Sequence, residues 1–569
     1  MRAFLFLLFT AIQIGAATTS YYIDPDYSGG GSTGAAATPW TSTASINWTT
    51  INSSLASGPV NIYCSALKAD GTTQQSLAVY FHIQRHDSSD NRLTVDGHSF
   101  YNANVATPLW TANPTAIAIA YTNGHVFKLT GNGSQALGWA RGDTSSETTF
   151  GGTNFVCIRS HVSGAANKPM SGASWTNYWD PHGSAGSAWA TATAYFCGCK
   201  QDNVTMRGFE ASGNGTRIGM LGDNLIYEYV SAHDCIDVGA MVSVLYTSFP
   251  DSAAAVTISA PNTNLIIRNF YINNTSAEGL YIGSINPDAA EQFQCDHGNQ
   301  IDQMQIRDGF IGRTGTGGGQ GDGIDCKNGI TSLSISNIEI FSCSNSQYSV
   351  NVPQTFLDAD MHFVIESCWI HGNTNGAVDS HVGIYAASST VSCSPAVVKG
   401  YNGVTMRNNI IEGCKAGILA SSTGNAKNIY VYNNNIRNIT DLGIDFDNTD
   451  GGGQVINNIV WGCNGGGNQN AFTSLTESSN NAYAGSWSGT CVSCLSSVTG
   501  SHFTSESTSD YSLASGAPER NAGATVPGFT WDKTGFGRPN STAWDIGPYE
   551  QAGFDLFTGP QLIRHWRRK

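Results

Sequence analysis

The amino-acid sequence predicts an all-β protein, a right-handed parallel β-helix with long loop insertions on one face. Three observations point there. The first is composition: 65 of 569 residues are Gly and only 12% are charged, which suits short strands joined by tight turns better than helices. The second is a marker consisting of an apolar residue, any residue, and then Asn or another small or polar residue. It returns as Met206-Arg207-Gly208, Ile267-Arg268-Asn269, Ile306-Arg307-Asp308, Ile335-Ser336-Asn337, Ile365-Glu366-Ser367, Met406-Arg407-Asn408, Tyr432-Asn433-Asn434 and Ile456-Asn457-Asn458. From Ile267 onward the intervals are 24 to 41 residues, and such periods without helical spacing mark a solenoid. The third is a strand pattern between the markers, read as Cys235-Ile236-Asp237-Val238, Gly279-Leu280-Tyr281-Ile282, Gly323-Ile324-Asp325-Cys326, Ser349-Val350-Asn351-Val352, Gly383-Ile384-Tyr385-Ala386, Gly417-Ile418-Leu419-Ala420 and Gly443-Ile444-Asp445-Phe446. Side chains alternate along a strand. Ile236, Leu280, Ile324, Val350, Ile384, Ile418 and Ile444 are therefore expected to stack inside, and Asp237, Tyr281, Asp325, Asn351, Tyr385, Leu419 and Asp445 to form an exposed outer stripe.

The elements follow in chain order. Arg2, an apolar run Ala3 to Ile14 and the small residues Gly15-Ala16-Ala17 make residues 1–17 a secretory signal peptide. The run is too short to span a bilayer, and no later segment reaches the ~20 apolar residues a membrane helix needs. Residues 18–550 are expected to form one β-helix domain, with 18–200 as N-terminal cap, first coils and inserted loops, 201–470 as regular coils and 471–550 as C-terminal coils and cap. Atypical ends are required to cap a solenoid; Tyr21-Tyr22-Ile23-Asp24-Pro25 opens the chain, and Asp510 to Leu513 with Trp544 to Glu550 closes it. Residues 551–569 end in a basic cluster and read as a tail. The Asn residues at the bends are read as structural, bonding their own backbone and the next coil.

A formal charge of -15 argues against a nucleic-acid partner, which needs a basic face. It also repels polyanionic sugars unless a cation bridges. Secretion permits disulfides: Cys197/Cys199 and Cys491/Cys494 are close enough in sequence to pair, whereas Cys343, Cys368, Cys414 and Cys463 recur inside repeats and are read as stacked, buried core residues.

The opening Tyr22-Ile23-Asp24-Pro25, the coils carrying paired Asn and the closing Trp544 to Glu550 resemble secreted proteins of the pectate-lyase-like (pectin lyase fold) superfamily of right-handed β-helices. The resemblance implies a carbohydrate-active protein on a polysaccharide substrate, expected to be a monomer without a membrane span. That superfamily holds lyases, hydrolases, esterases, epimerases and non-catalytic surface proteins, so the reaction has to be argued from the site.

Ionisable residues of the outer stripe concentrate in three coils: His233-Asp234-Cys235-Ile236-Asp237, Glu278-Gly279-Leu280-Tyr281 and Asp322-Gly323-Ile324-Asp325-Cys326-Lys327. Read in register, Asp237, Tyr281 and Asp325 form one column, Asp234, Glu278 and Asp322 lie on the bend before it, and Lys327 follows Asp325. Stacked carboxylates repel unless they share a proton or a cation, and Ca²⁺ accepts several carboxylate oxygens in irregular geometry. Asp234, Asp237, Glu278, Asp322 and Asp325 are thus the candidate metal ligands; Lys327, Asp325 and Asp237 the candidate catalytic residues; and Tyr281, His233 and Tyr385 the candidate substrate contacts. The Asp322 to Lys327 segment is similar to the acid-then-lysine segment of the alginate-lyase group, and Asp322-Gly323-Ile324-Asp325 to the carboxylate segment of one pectate-lyase group.

The leading expectation is a secreted, Ca²⁺-assisted polysaccharide lyase that cleaves an acidic glycan by β-elimination. A glycoside hydrolase using Asp237 and Asp325, two coils and ~10 Å apart, stands second. A non-catalytic carbohydrate-binding adhesin stands third. Weaker candidates are the Asp379/His381 pair, the Asp441, Asp445 and Asp447 patch, and Trp175, Trp179 and Trp189 in the Thr130 to Phe196 insertion.

Overall fold

The computed structural model describes residues 17–65, 68, 73, 75–77, 81–83, 89–97, 127–129, 144–147, 153–157, 179–184, 197–199, 202–212, 218–220, 222–235, 239–243, 262–283, 301–317, 321–326, 330–343, 348–352, 362–372, 381–386, 401–421, 426–447, 452–463, 475–485, 487, 490–539 and 542–551. Residues 1–16, those beyond Gln551, and Ile236, Asp237, Lys327 and Asp379 lie outside them. The described residues fall into two compact units, one running up to His362 and the other from Phe363 onward. Among them no helix is long and apolar enough to cross a membrane.

In the first unit Thr19–Ile23 pairs in parallel with Val60–Cys64, which pairs with Leu93–Asp96 and so on through Val204–Ser212, Ile226–Cys235, Asn262–Thr275, Ile301–Gly312 and Ser332–Phe341. A short helix, Trp48–Leu55, covers the first coils, its Asn47 side chain accepting from Thr50 N and its Trp48, Ile51 and Leu55 buried. From Val204 onward each long strand turns a shared corner at a residue with positive φ, namely Gly208, Tyr229, Asn269, Asp308 and Asn337, and some turn again at further positive-φ residues such as Asp234 and Asn274. That left-handed conformation is costly for most L-residues and mildest for Gly, Asn and Asp, which is the physical origin of the third position of the marker. A second sheet stacks Ile218–Met220, Ala240–Ser243, Leu280–Gly283, Ile324–Cys326 and Tyr348–Asn351 in parallel. This is a parallel β-helix, and Leu280, Ile324 and Val350 share one fully enclosed interior column. The insertion is more than loop: Thr144–Glu147, Thr153–Cys157 and Trp179–Ser184 form an antiparallel sheet of their own.

The expected register of the Cys235 coil is corrected. Ala240, not Ile236, pairs with Leu280, and Met241, not Asp237, pairs with Tyr281. The reason is a glycine column. A Cβ on Gly239 would lie 2.9 Å from Gly279 O, and one on Gly279 would lie 2.7 Å from Gly323 O and 2.5 Å from Ile311 Cγ2. The bare residue before each inward side chain is what lets the next coil approach, so Gly239 aligns with Gly279 and Gly323. Gly279→Ala is expected to destabilise by about 1–3 kcal/mol through overpacking, against no measurable change for Gly516→Ala, whose added Cβ meets nothing within 4 Å. Thermal unfolding of the two variants checks this.

The second unit repeats the plan with three strands per coil, for example Tyr401–Arg407, Ile410–Glu412 and Ala416–Ser421 pairing onto Ala426–Tyr432, Asn435–Arg437 and Ile444–Asp447. Ile384, Ile418 and Ile444 stack inside it, fully enclosed. Its corner residues are Ser367, Asn408, Asn433 and Asn457, all with positive φ, so the marker expected at Tyr432 and Ile456 is displaced by one residue: Arg407 pairs with Tyr432 and Tyr432 with Ile456. Next to the corners runs a fully buried ladder. Asn409 N and Nδ2 donate to Asn434 Oδ1 at 2.9 and 3.0 Å, Asn434 repeats this to Asn458, and Asn458 to Asn481. Cys368 N heads the ladder by donating to Asn409 Oδ1, and Asn481 N ends it on Cys494 Sγ. Cys368 therefore stands apart from Cys343, Cys414 and Cys463, which each follow a positive-φ residue at a different corner; Cys463 is only partly buried. Cys491 and Cys494 are disulfide-bonded. Trp544, Ile546 and Tyr511 are buried in apolar clusters of this unit.

Candidate functional site

The short strands Leu280–Gly283 and Ile324–Cys326 place Tyr281 and Asp325 side by side on the outer face, because Leu280 and Ile324 point inward and alternation sends the next residue out. Glu278 and Asp322 precede these strands at equivalent positions, joined through Gly279 N donating to Asp322 O at 2.9 Å. The expectation of an exposed stripe is corrected. Asp325 is 0% exposed, Asp322 4%, Glu278 7% and Tyr281 8%, so leaving the coil interior here does not mean reaching bulk water. The strand below holds the two aspartates: Asn351 Nδ2 donates to Asp325 Oδ1 at 2.9 Å and Tyr348 N to Asp322 Oδ1 at 3.0 Å. Burial, then the negative charges of Asp325 and Glu278, push the Tyr281 phenol far above its ordinary value. It is a phenol held in its protonated form beside carboxylates.

Asp234 does not belong to this face. It sits at a positive-φ corner of the other sheet, where it accepts from Asn274 Nδ2 and bonds His233 Nδ1 at 2.7 Å. His233 Nε2 meets Glu210 Oε1 at 2.9 Å. The ring therefore bridges two carboxylates from neighbouring strands, a role that differs from the expected substrate contact. Glu210 was not foreseen, since only the pairing of Glu210 with Ser231 brings it within reach of a histidine 23 residues on. The Glu210 hydrogen bond raises the His233 pKa above 6.5, burial opposes it, and Asp234 adds to the rise. A folded-state value above the unfolded one stabilises fully at low pH and fades as pH rises through the folded value. The melting-temperature advantage over His233→Gln is expected to be full below about pH 6.5 and to shrink as pH climbs above it; melts at pH 5.5 and 8.5 test the sign.

Nearby, Arg207 Nε donates to Asp96 Oδ2 and Arg268 Nε to Glu228 Oε2, both at 2.7 Å. These pairs alternate sign from strand to strand and, being partly solvated, serve register more than stability.

Among the described residues no three His, Cys, Asp or Glu side chains come together as a metal-binding group. Of the five carboxylates expected for Ca²⁺, Asp234 is on another sheet and is engaged by His233 and Asn274, Asp322 and Asp325 each accept a hydrogen bond from the next coil, and Asp237 lies outside the described residues. Lys327 also lies outside them. In the second unit Tyr385 pairs with Leu419 and is half-buried, and Asp445 pairs with Leu419 from the following coil. His381 is buried, its carbonyl accepting from Lys415 N and Ala416 N.

No family model matches the chain, and no curated protein does. Among solved structures the chain is similar to the pectate lyase Pel9A, at 12% identity and a TM-score of 0.39 over 95% of this chain and 98% of that one. It is also similar to an alginate lyase from Paenibacillus sp., at 12% identity and 0.31 over 79% and 98%, and to a lacto-N-biosidase from Eubacterium ramulus, at 9% and 0.34 over 84% and 68%.

Proposed function

We propose that the protein is a secreted carbohydrate-active enzyme, a polysaccharide lyase that cleaves an acidic glycan by β-elimination at the face built from Glu278, Tyr281, Asp322 and Asp325. One observation carries this reading: the enclosed phenol of Tyr281 stands beside the enclosed carboxylate of Asp325 on adjacent strands in register, with Glu278 and Asp322 just before those strands. β-Elimination needs a base for the proton α to the uronate carboxylate and an acid for the departing glycosidic oxygen. Lys327, directly after Cys326 in sequence, is the proposed base. The α proton passes to its amine, the electron pair left on carbon forms the new double bond, and the carbon–oxygen bond breaks. Tyr281 O–H supplies the proton for the leaving oxygen and is restored from the lysine ammonium. Nearby carboxylates favour the charged ammonium, so the base role requires substrate to exclude water around Lys327. The proposed part for Ca²⁺ is to bridge uronate carboxylates to a chain of formal charge -15.

The hydrolase reading loses its geometric basis, because Met241 occupies the column position expected for Asp237. The test is a screen of polygalacturonate, alginate, glycosaminoglycans and neutral plant glycans with and without Ca²⁺, following the absorbance of unsaturated product. Rising absorbance on a polyuronate is the expected result; reducing ends released without absorbance would indicate hydrolysis, and no product from any glycan would indicate a binding protein.

A further inference from the structure

We infer that Asn351 is a positioning residue for Asp325, an assignment that rests on the Tyr281–Asp325 face being the active centre. Asp325 is fully enclosed and pairs directly with Asn351 across the strands Ile324–Cys326 and Tyr348–Asn351. The Asn351 amide donates to Asp325 Oδ1 at 2.9 Å, and Tyr348 N donates to Asp322 Oδ1 at 3.0 Å. One strand thus grips both aspartates of the coil above it, one at each end. The gripping groups are neutral. From Ser346 to Pro353 the sequence holds no Lys, Arg or His, so this segment holds the carboxylate through neutral donors. A carboxylate oxygen tied to a rigid strand has one orientation, whereas an untied one samples its rotamers. Asn351 acts through Asp325 and does not touch the glycan, so its loss should lower kcat and leave KM unchanged.

The test compares Asn351→Asp, which keeps the shape but replaces the donor with a second carboxylate against Asp325, with Asn351→Gln, which keeps a donor, and with Asp325→Asn and the swap Asp325→Asn/Asn351→Asp. Each is assayed on polygalacturonate and alginate, and its melting temperature is recorded. Asn351→Asp should lose roughly 10- to 100-fold in kcat, as supporting partners of reacting groups do, with KM within about twofold; Asn351→Gln should recover most of that loss. The swap restores the hydrogen bond with its direction reversed, so it should recover melting temperature while turnover stays absent. Full kcat in Asn351→Asp beside an inactive Asp325→Asn overturns the positioning role alone. Recovery of kcat by the swap in proportion to melting temperature also overturns it, because the pair then acts only in folding. Full activity in Asp325→Asn, or no activity of the native protein on either polyuronate, overturns the active-centre reading and this assignment with it. A crystal structure of Asn351→Asp showing the Asp325 carboxylate unmoved would count against it without reference to any substrate.

Discussion

Asp325→Asn is expected to reduce turnover at least about 100-fold while leaving the coils assembled. The substitution changes one oxygen for an amide nitrogen of the same shape, so the enclosed position gains no cavity and the remaining carbonyl still accepts from Asn351 Nδ2. What is lost is the negative charge beside Tyr281, and with it part of the cause that keeps the phenol protonated. Lys327→Ala should cost at least as much, since it removes the proposed base itself, yet it should leave glycan capture intact because the chemical step, not binding, depends on that amine. The measurement is the initial rate of unsaturated-product absorbance on whichever polyuronate the native protein cleaves, with circular dichroism as the folding control. If both variants keep the native rate, the active centre is elsewhere, and His381 and Asp445 in the second unit are the next residues to replace.

The fold was legible because two of its causes act locally. A positive-φ corner selects Gly, Asn or Asp, and an inward strand position selects Ile, Leu or Val, so Asn269, Asn337 and Asn408 and the columns through Ile324 and Ile418 could be read without coordinates. The pairing of coils acts at a distance, and there the reading slipped. His233-Asp234-Cys235-Ile236-Asp237 mimics an acid-then-apolar strand, but Asp234 is a corner residue tied to Asn274. The true strand begins at Ala240, four residues after Ile236, just past a glycine whose bare backbone admits Gly279 O. Tyr281 and Asp325 pair across adjacent strands as their coil spacing implied, since that spacing is local. Their enclosure was not foreseen, because what surrounds a face is decided by segments remote in sequence. Glu210 and Asn351 carried no signal of their own, and each matters only through the strand it meets.

The largest loss of stability is expected from Asn434→Leu, in the middle of the buried ladder of the second unit. Leucine keeps the branching of asparagine but is bulkier, so overpacking adds to the loss of the hydrogen bonds. Asn434 Oδ1 accepts from Asn409 N at 2.9 Å and from Asn409 Nδ2 at 3.0 Å, and its own amide donates to Met406 O at 2.9 Å and to Asn458 Oδ1 at 3.0 Å. Every one of these groups is buried, and Asn409, Asn434 and Asn458 are each 0% exposed. Removing the side chain leaves the buried Asn409 donors and Met406 O on the coil before, and Asn458 Oδ1 on the coil after, without the amide that served them, at about 1–3 kcal/mol for each group left unmade. A total of about 4 kcal/mol is a large part of the ~5–15 kcal/mol that holds a folded domain. Coils depend on their neighbours, so the damage should spread along the stack rather than stay at one corner. Urea unfolding followed by circular dichroism should show the midpoint falling steeply or the second unit failing to fold; a loss below about 1 kcal/mol would mean that backbone pairing between coils, and not the asparagine ladder, sets the stability of these corners.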